Sequence, residues 1–97
     1  MSNYLPLDPL LLTELRLAIM SILIQTEEAD FVHIREVTGA TAGNISVQLD
    51  KLSEAGYLTI EKSFVGKRPR TSCRITAAGE VAFTQHFTAL KSYLPKD

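Results

Sequence analysis

One cysteine, Cys73, is all the thiol chemistry the sequence holds. A single thiol closes no internal disulfide and builds no multi-cysteine zinc or iron–sulfur centre, so a reduced, cytoplasmic chain is expected. Long hydrophobic runs are also missing. The longest, Leu17 to Ile24, has eight residues with Ser21 inside it, and a membrane span needs about 20. The stretch Met1-Ser2-Asn3-Tyr4 offers no basic region to open a signal peptide. There is no Gly-rich phosphate loop, no Ser/His/Asp set and no metal-ligand spacing, and the serines and threonines lack a partnered base. Catalysis, a cofactor and a bound metal are therefore not expected.

Acidic residues are missing from one stretch. Lys62 to Arg74 carries five cations (Lys62, Lys67, Arg68, Arg70 and Arg74) and no acid, while the rest of the chain holds five cations and all eleven acids. The net charge of −1 therefore hides one strongly positive patch, and distribution decides partners more than the total does. The 97 residues read as one domain, 1–97. A hydrophobic fraction of 45% and a charged fraction of 22% are those of a globular protein. Such a chain buries somewhat less than about 70% of its unfolded surface, so pairing with a second copy would help it.

Hydrophobic periodicity sets out the elements. Asp8 and Pro9 predict the start of a helix that runs to about Gln25. It is apolar over most of its circumference, which calls for burial on two sides. Glu27, Glu28 and Asp30 read as an acidic connector. A short helix follows over Phe31 to Thr38, with Phe31, Ile34 and Val37 inward and Gly39 ending it. Thr41 caps a third helix, about Ala42 to Ala55, with Ile45, Leu49 and Leu52 on the inner face. The period then shortens to two. Tyr57 to Lys62 and Thr71 to Ile75 predict a hairpin whose tip is Val65 to Arg70. Thr76 caps a last helix to about Leu94, striped by Phe83, Phe87, Leu90 and Leu94. A third strand near Phe31 to His33 would complete a sheet. The fold class is α+β, mainly α.

Helix, Gly-containing turn and helix is the spacing of a helix-turn-helix. The motifs Gly43-Asn44-Ile45-Ser46, Leu52-Ser53-Glu54-Ala55-Gly56-Tyr57, Gly66-Lys67-Arg68-Pro69-Arg70-Thr71 and Ile75-Thr76-Ala77-Ala78-Gly79 go further. Together they closely resemble the small single-domain winged-helix regulators related to the MarR and ArsR groups. The resemblance implies a DNA-binding fold with a recognition helix, a basic wing and a C-terminal dimerisation helix.

The chemistry of the residues fits that implication. A recognition helix enters the major groove with its N-terminal turns leading. Here those turns carry Thr41, Ala42, Gly43, Asn44, Ser46, Val47 and Gln48, with Lys51 a turn later. Asn44 and Gln48 own the amide that can bond adenine N6 and N7 together, and Val47 can meet a thymine methyl. Thr41, Ser46 and the free N–H groups of the helix start suit phosphate. Gly43 lowers helix propensity by about 1 kcal/mol relative to Ala, which suits a close backbone approach to DNA. Asp50 and Glu54 share this helix and are expected behind the groove edge. In the wing, Lys62, Lys67, Arg68 and Arg70 are candidates for phosphate or minor-groove contact. Tyr57 and Phe64 read as packing under the hairpin.

A symmetric dimer is expected through Leu10, Leu17, Phe83, Phe87, Leu90 and Leu94. His86, beside the last-helix stripe, reads as an interface residue that would make pairing respond to pH. His33 reads as a surface residue near Glu27, Glu28 and Asp30. Cys73 reads as half-buried, with Arg74 available to lower its pKa. The expected partners are double-stranded DNA and a second copy, and a small apolar effector at the dimer interface has no specific support. A protein–protein role for the wing and a non-specific nucleic-acid module are the rival readings.

Overall fold

The computed structural model describes residues 3–95; Met1, Ser2, Lys96 and Asp97 lie outside the described residues. Among the described residues, four α-helices, α1 (Glu14–Thr26), α2 (Phe31–Thr38), α3 (Ala42–Glu54) and α4 (Ala77–Lys91), accompany a three-stranded antiparallel sheet. Its strands are β1 (Glu28–Asp30), β2 (Leu58–Val65) and β3 (Arg68–Ile75), in the order β1-β3-β2.

Each α-helix starts on a side-chain oxygen that accepts a backbone N–H of the first turn. Thr13 serves Arg16, Asp30 serves His33, Thr41 serves Asn44 and Thr76 serves Gly79. The helix expected from Asp8 begins later. Asp8 Oδ1 does accept from the Leu10 N–H at 2.9 Å, but it caps only one 3-10 turn, Pro9–Leu11. That turn drops Leu11 into the core, fully buried, and leaves Leu12 exposed. The chain then extends through Thr13 (φ −91°, ψ 143°) and restarts. The last helix stops at Lys91, three residues before Leu94.

The helix-turn-helix pair follows the sequence closely. Gly39 ends α2 with φ +70°, and its N–H donates to the Arg35 carbonyl at 2.9 Å. Ile45, Leu49 and Leu52 of α3 are buried, as is Ile34 of α2. Val37, expected inward, is 58% exposed; α2 is two turns long and only Ile34 faces α1 and α3 squarely. These residues join Ile19, Met20 and Leu23 of α1, Leu58 of β2 and Cys73 of β3 in one core. Each fully buried aliphatic side chain there is worth about 1.5–3 kcal/mol.

The hairpin is longer and its tip tighter than expected. Val65 pairs with Arg68, which leaves the two-residue turn Gly66-Lys67, with Gly66 at φ +65°. A left-handed first position suits a two-residue hairpin loop, and glycine takes it without strain. Pro69 sits inside β3, opposite Phe64. It is tolerated because β1 pairs only with Ser72, Cys73 and Arg74, so one side of β3 is open at Pro69. The third strand lies at Glu28–Asp30 rather than Phe31–His33. The supposed acidic connector is that strand, with Ala29 turned inward and 8% exposed.

A polar junction ties the N-terminal segment to the body. The Asp8 N–H donates to His86 Nδ1 at 3.0 Å, and the Tyr57 hydroxyl donates to Asp8 Oδ2 at 2.5 Å. His86 is 2% exposed. It is therefore an internal bond acceptor, not the subunit-interface residue expected from its stripe. Further along, the Leu5 N–H donates to Ser92 Oγ at 3.1 Å, and the rings of Tyr4 and Tyr93 stack at 4.7 Å.

Candidate nucleic-acid interface

α3 turns one face into the core and leaves its N-terminal turns in solvent. Thr41, Gly43, Asn44, Ser46, Val47 and Lys51 are exposed, Ala42 and Gln48 half-buried. Asp50 and Glu54 are exposed on the same helix. Ser46 and Asp50 line a cleft of about 170 Å³ together with Lys62 and Thr71 of the hairpin. The middle of α3 and the body half of the hairpin thus flank one cleft, with the helix start outside it.

Gln48 is not free to act as its sequence position suggested. Its Oε1 accepts from Arg16 Nη1 at 2.5 Å, and its Nε2 donates to Asn44 Oδ1 at 3.0 Å. Arg16, on α1, also donates from Nε to the Leu10 carbonyl at 2.6 Å. Sequence reasoning passed over Arg16. No local signal marks it, because the contact joins residues 32 apart in the chain.

The wing cations fall into two groups. Arg70 Nε lies 3.5 Å from Asp30 Oδ2. Arg74 pairs with Glu28 at 3.5 Å and Glu27 at 3.9 Å. The register explains this, since Asp30 faces Ser72 and Glu28 faces Arg74 across the β1–β3 ladder. Arg70 is thus within a strand and partly neutralised, rather than at the tip. Lys62, Lys67 and Arg68 are exposed and make no ion pair with another described residue. The acidic run Glu27-Glu28-Asp30 was the available signal: read as a strand, it is the complement of a basic one.

Phe64 is 73% exposed, against the expectation that it packs under the hairpin. The outer half of the hairpin projects past the body and has nothing beneath it. Tyr57 does pack, half-buried, and its phenol is pushed up to about 12 by the hydrogen bond to Asp8, with burial adding to it.

Cys73 is fully buried rather than half-buried. Burial pushes its thiol from 9.0 up to about 11. Arg74 does not lower it; adjacent strand residues point to opposite faces, and its guanidinium is held by Glu27 and Glu28. Two results are expected. In the folded protein at pH 7.5 (near the usual working value), a thiol reagent should label Cys73 far more slowly than in denaturant. Stability should be unaffected by this thiol below pH 9.0 and fall between pH 9.0 and about 11, where only the unfolded chain ionises. Equal labelling rates in the two states would contradict the assignment.

Among the described residues, no group of three or more His, Cys, Asp or Glu side chains is placed to hold a metal ion. No helix among them is long and apolar enough to cross a membrane.

The helix-turn-helix pair, the three-stranded sheet and its projecting basic hairpin define a winged helix-turn-helix domain. The family model for the winged helix DNA-binding domain matches residues 15–94, and the chain belongs to that family. It is 34% identical over 71 residues to the uncharacterized protein MJ0432 of Methanocaldococcus jannaschii, a match covering 73% of this chain and 77% of that one. It superposes on the transcriptional regulator homologue protein from Pyrococcus horikoshii OT3 with a TM-score of 0.79 and 30% identity. That match covers 86% of this chain and 82% of the other. Reduced AbfR bound to DNA shares the fold, with a TM-score of 0.77 at 20% identity, over 89% of this chain and 61% of AbfR. A mutant MarR from E. coli complexed with operator DNA also shares the fold, with a TM-score of 0.71 at 18% identity, over 84% of this chain and 58% of MarR.

Proposed function

We propose that this winged helix binds double-stranded DNA sequence-specifically as a homodimer and regulates transcription. One observation carries the reading: α3 leaves its polar N-terminal turns in solvent, and the hairpin that borders a cleft with the middle of that helix carries the exposed, unpaired cations Lys67 and Arg68 at its end. The N-terminal turns of α3 meet base edges through Asn44 and Val47, with Thr41, Ala42, Gly43 and Ser46 close to the backbone and Lys51 behind them. Lys67 and Arg68 reach phosphate or the minor groove, Lys62 supports them, and Arg70 contributes less because Asp30 holds it.

Surface area supports the dimer. The chain exposes 6713 Å², where a compact monomer of this size exposes about 5,500 Å². Of the interface residues expected from sequence, Leu10, Leu17 and Phe83 pack on the chain's own core. Phe87 (49% exposed) and Leu94 (64%) remain open, and Leu90 is half-buried. These are the residues that a two-fold partner covers. Such symmetry calls for a roughly palindromic site with half-sites about 34 Å apart.

Selection from a pool of random duplexes, followed by sequencing of the bound fraction, tests the reading. An enriched palindrome that Asn44→Ala no longer prefers is the expected result. Binding without enrichment would make the protein a non-specific nucleic-acid module. No binding at low salt would transfer the wing to a protein partner.

A further inference from the structure

Four groups form a polar chain from the N-terminal turn to the exposed start of α3, with donation running outward from Arg16 to both ends. Arg16 Nε donates to the Leu10 carbonyl at 2.6 Å, and Arg16 Nη1 donates to Gln48 Oε1 at 2.5 Å. Gln48 Nε2 then donates to Asn44 Oδ1 at 3.0 Å. Taking α3 as the base-reading helix of the proposed function, we infer that Arg16 is a positioning residue that sets which way Asn44 faces and hence which base it reads.

The argument rests on what each group can accept. A guanidinium has donors only. Gln48 must therefore turn its amide oxygen to Arg16, which leaves Nε2 toward Asn44. That nitrogen is also a donor, so Asn44 must answer with Oδ1. The Asn44 NH2 is then turned away from Gln48, and Oδ1 keeps one lone pair. Neither amide can flip without setting donor against donor. The Leu10 carbonyl holds the other edge of the fork, so the guanidinium is itself fixed between two elements.

The consequence is specificity. Bidentate reading of adenine needs a donor for N7 and an acceptor for N6 in a set order. A flipped amide presents them reversed and loses the match. Asn44 is exposed and in position to read; Gln48 has its oxygen and one N–H engaged and acts only through Asn44. Arg16 and Gln48 touch no base in this arrangement. They convert an amide with two orientations into one with a single orientation before DNA arrives, which is preorganisation of the reading group.

The test compares three duplexes by fluorescence anisotropy: the selected site, the site with its Asn44-read A·T pairs changed to G·C, and a scrambled sequence. Wild type should prefer the A·T site by about tenfold or more. Arg16→Lys keeps the charge but lacks the fork. Gln48→Met keeps the length, leaves the Arg16–Leu10 bond in place and cannot relay. Both variants should drop the preference to about threefold or less, while the scrambled affinity and the salt slope stay within about twofold of wild type. Thermal unfolding confirms that each is folded. Full preference in both variants, with Asn44→Ala losing it, overturns the relay alone. Unchanged preference in Asn44→Ala overturns the base-reading assignment, and the relay falls with it. An equal loss on all three duplexes gives Arg16 and Gln48 a purely structural role and also overturns the relay.

Discussion

Gly79→Ala is expected to lower the unfolding free energy by about 2–3 kcal/mol, although alanine is the better helix former by about 1 kcal/mol. Gly79 lies in the first turn of α4, buried against the foot of the wing. A Cβ there would sit 2.1 Å from the Tyr57 carbonyl oxygen, 2.9 Å from its carbon and 3.0 Å from Ile75 Cγ1. The obstacle is backbone, and it is engaged: the Tyr57 carbonyl accepts the Thr76 N–H at 3.1 Å. Thr76 in turn donates from its hydroxyl to the Gly56 carbonyl at 2.6 Å and accepts the Gly79 N–H at 3.0 Å. One added methyl must push α4 off the sheet or tear this stitch. Gly43→Ala is the matched control, since a Cβ at that helical position meets nothing within 4 Å. It should be neutral or stabilising by up to about 1 kcal/mol. Urea midpoints of the two variants should move in opposite directions. Equal shifts would mean that the α4–wing contact gives way more easily than its hydrogen bonds suggest.

That contact also illustrates what a sequence displays and what it conceals. The order of elements was legible because each carries local grammar: Thr41 and Thr76 as caps, Gly39 as a left-handed stop, a period of two from Leu58 and of 3.6 in α3. The exposed face of α3 followed from its buried one. Long-range polar contacts were not legible. Asp8 looks like a helix cap, and it caps one turn, but it also joins Tyr57 and His86. β1 is three residues long and rich in acids. Its length gives no period to read, and its acids make sense as a strand only once it is paired beside the basic face of β3. Gln48 looked like a reader because nothing in its neighbourhood reveals Arg16. Phe64 was misplaced for a different reason: strand alternation says which face a residue takes, not how far the body extends beneath it.

Lys67→Ala combined with Arg68→Ala should weaken DNA binding on the order of 10²–10³-fold at about 0.1 M salt. The reasoning is counterion release. Each cation set against B-DNA phosphate contributes about 0.9 to the slope of log K against log salt, and a dimer carries two wings. Removing two contacts from each wing should flatten the slope by roughly 3–4. Arg70→Ala should do much less, because Asp30 already offsets that charge at 3.5 Å. The contrast separates a wing that touches DNA at its tip from a generally basic protein, in which removal of any of these cations would cost about the same. Fold stability should hardly change in the double variant, as both side chains are exposed and unpaired. Sequence preference should survive, since phosphate contacts place the protein while base contacts specify the site. An unchanged slope in the double variant would take the wing off the phosphates and leave its charge for an acidic protein surface.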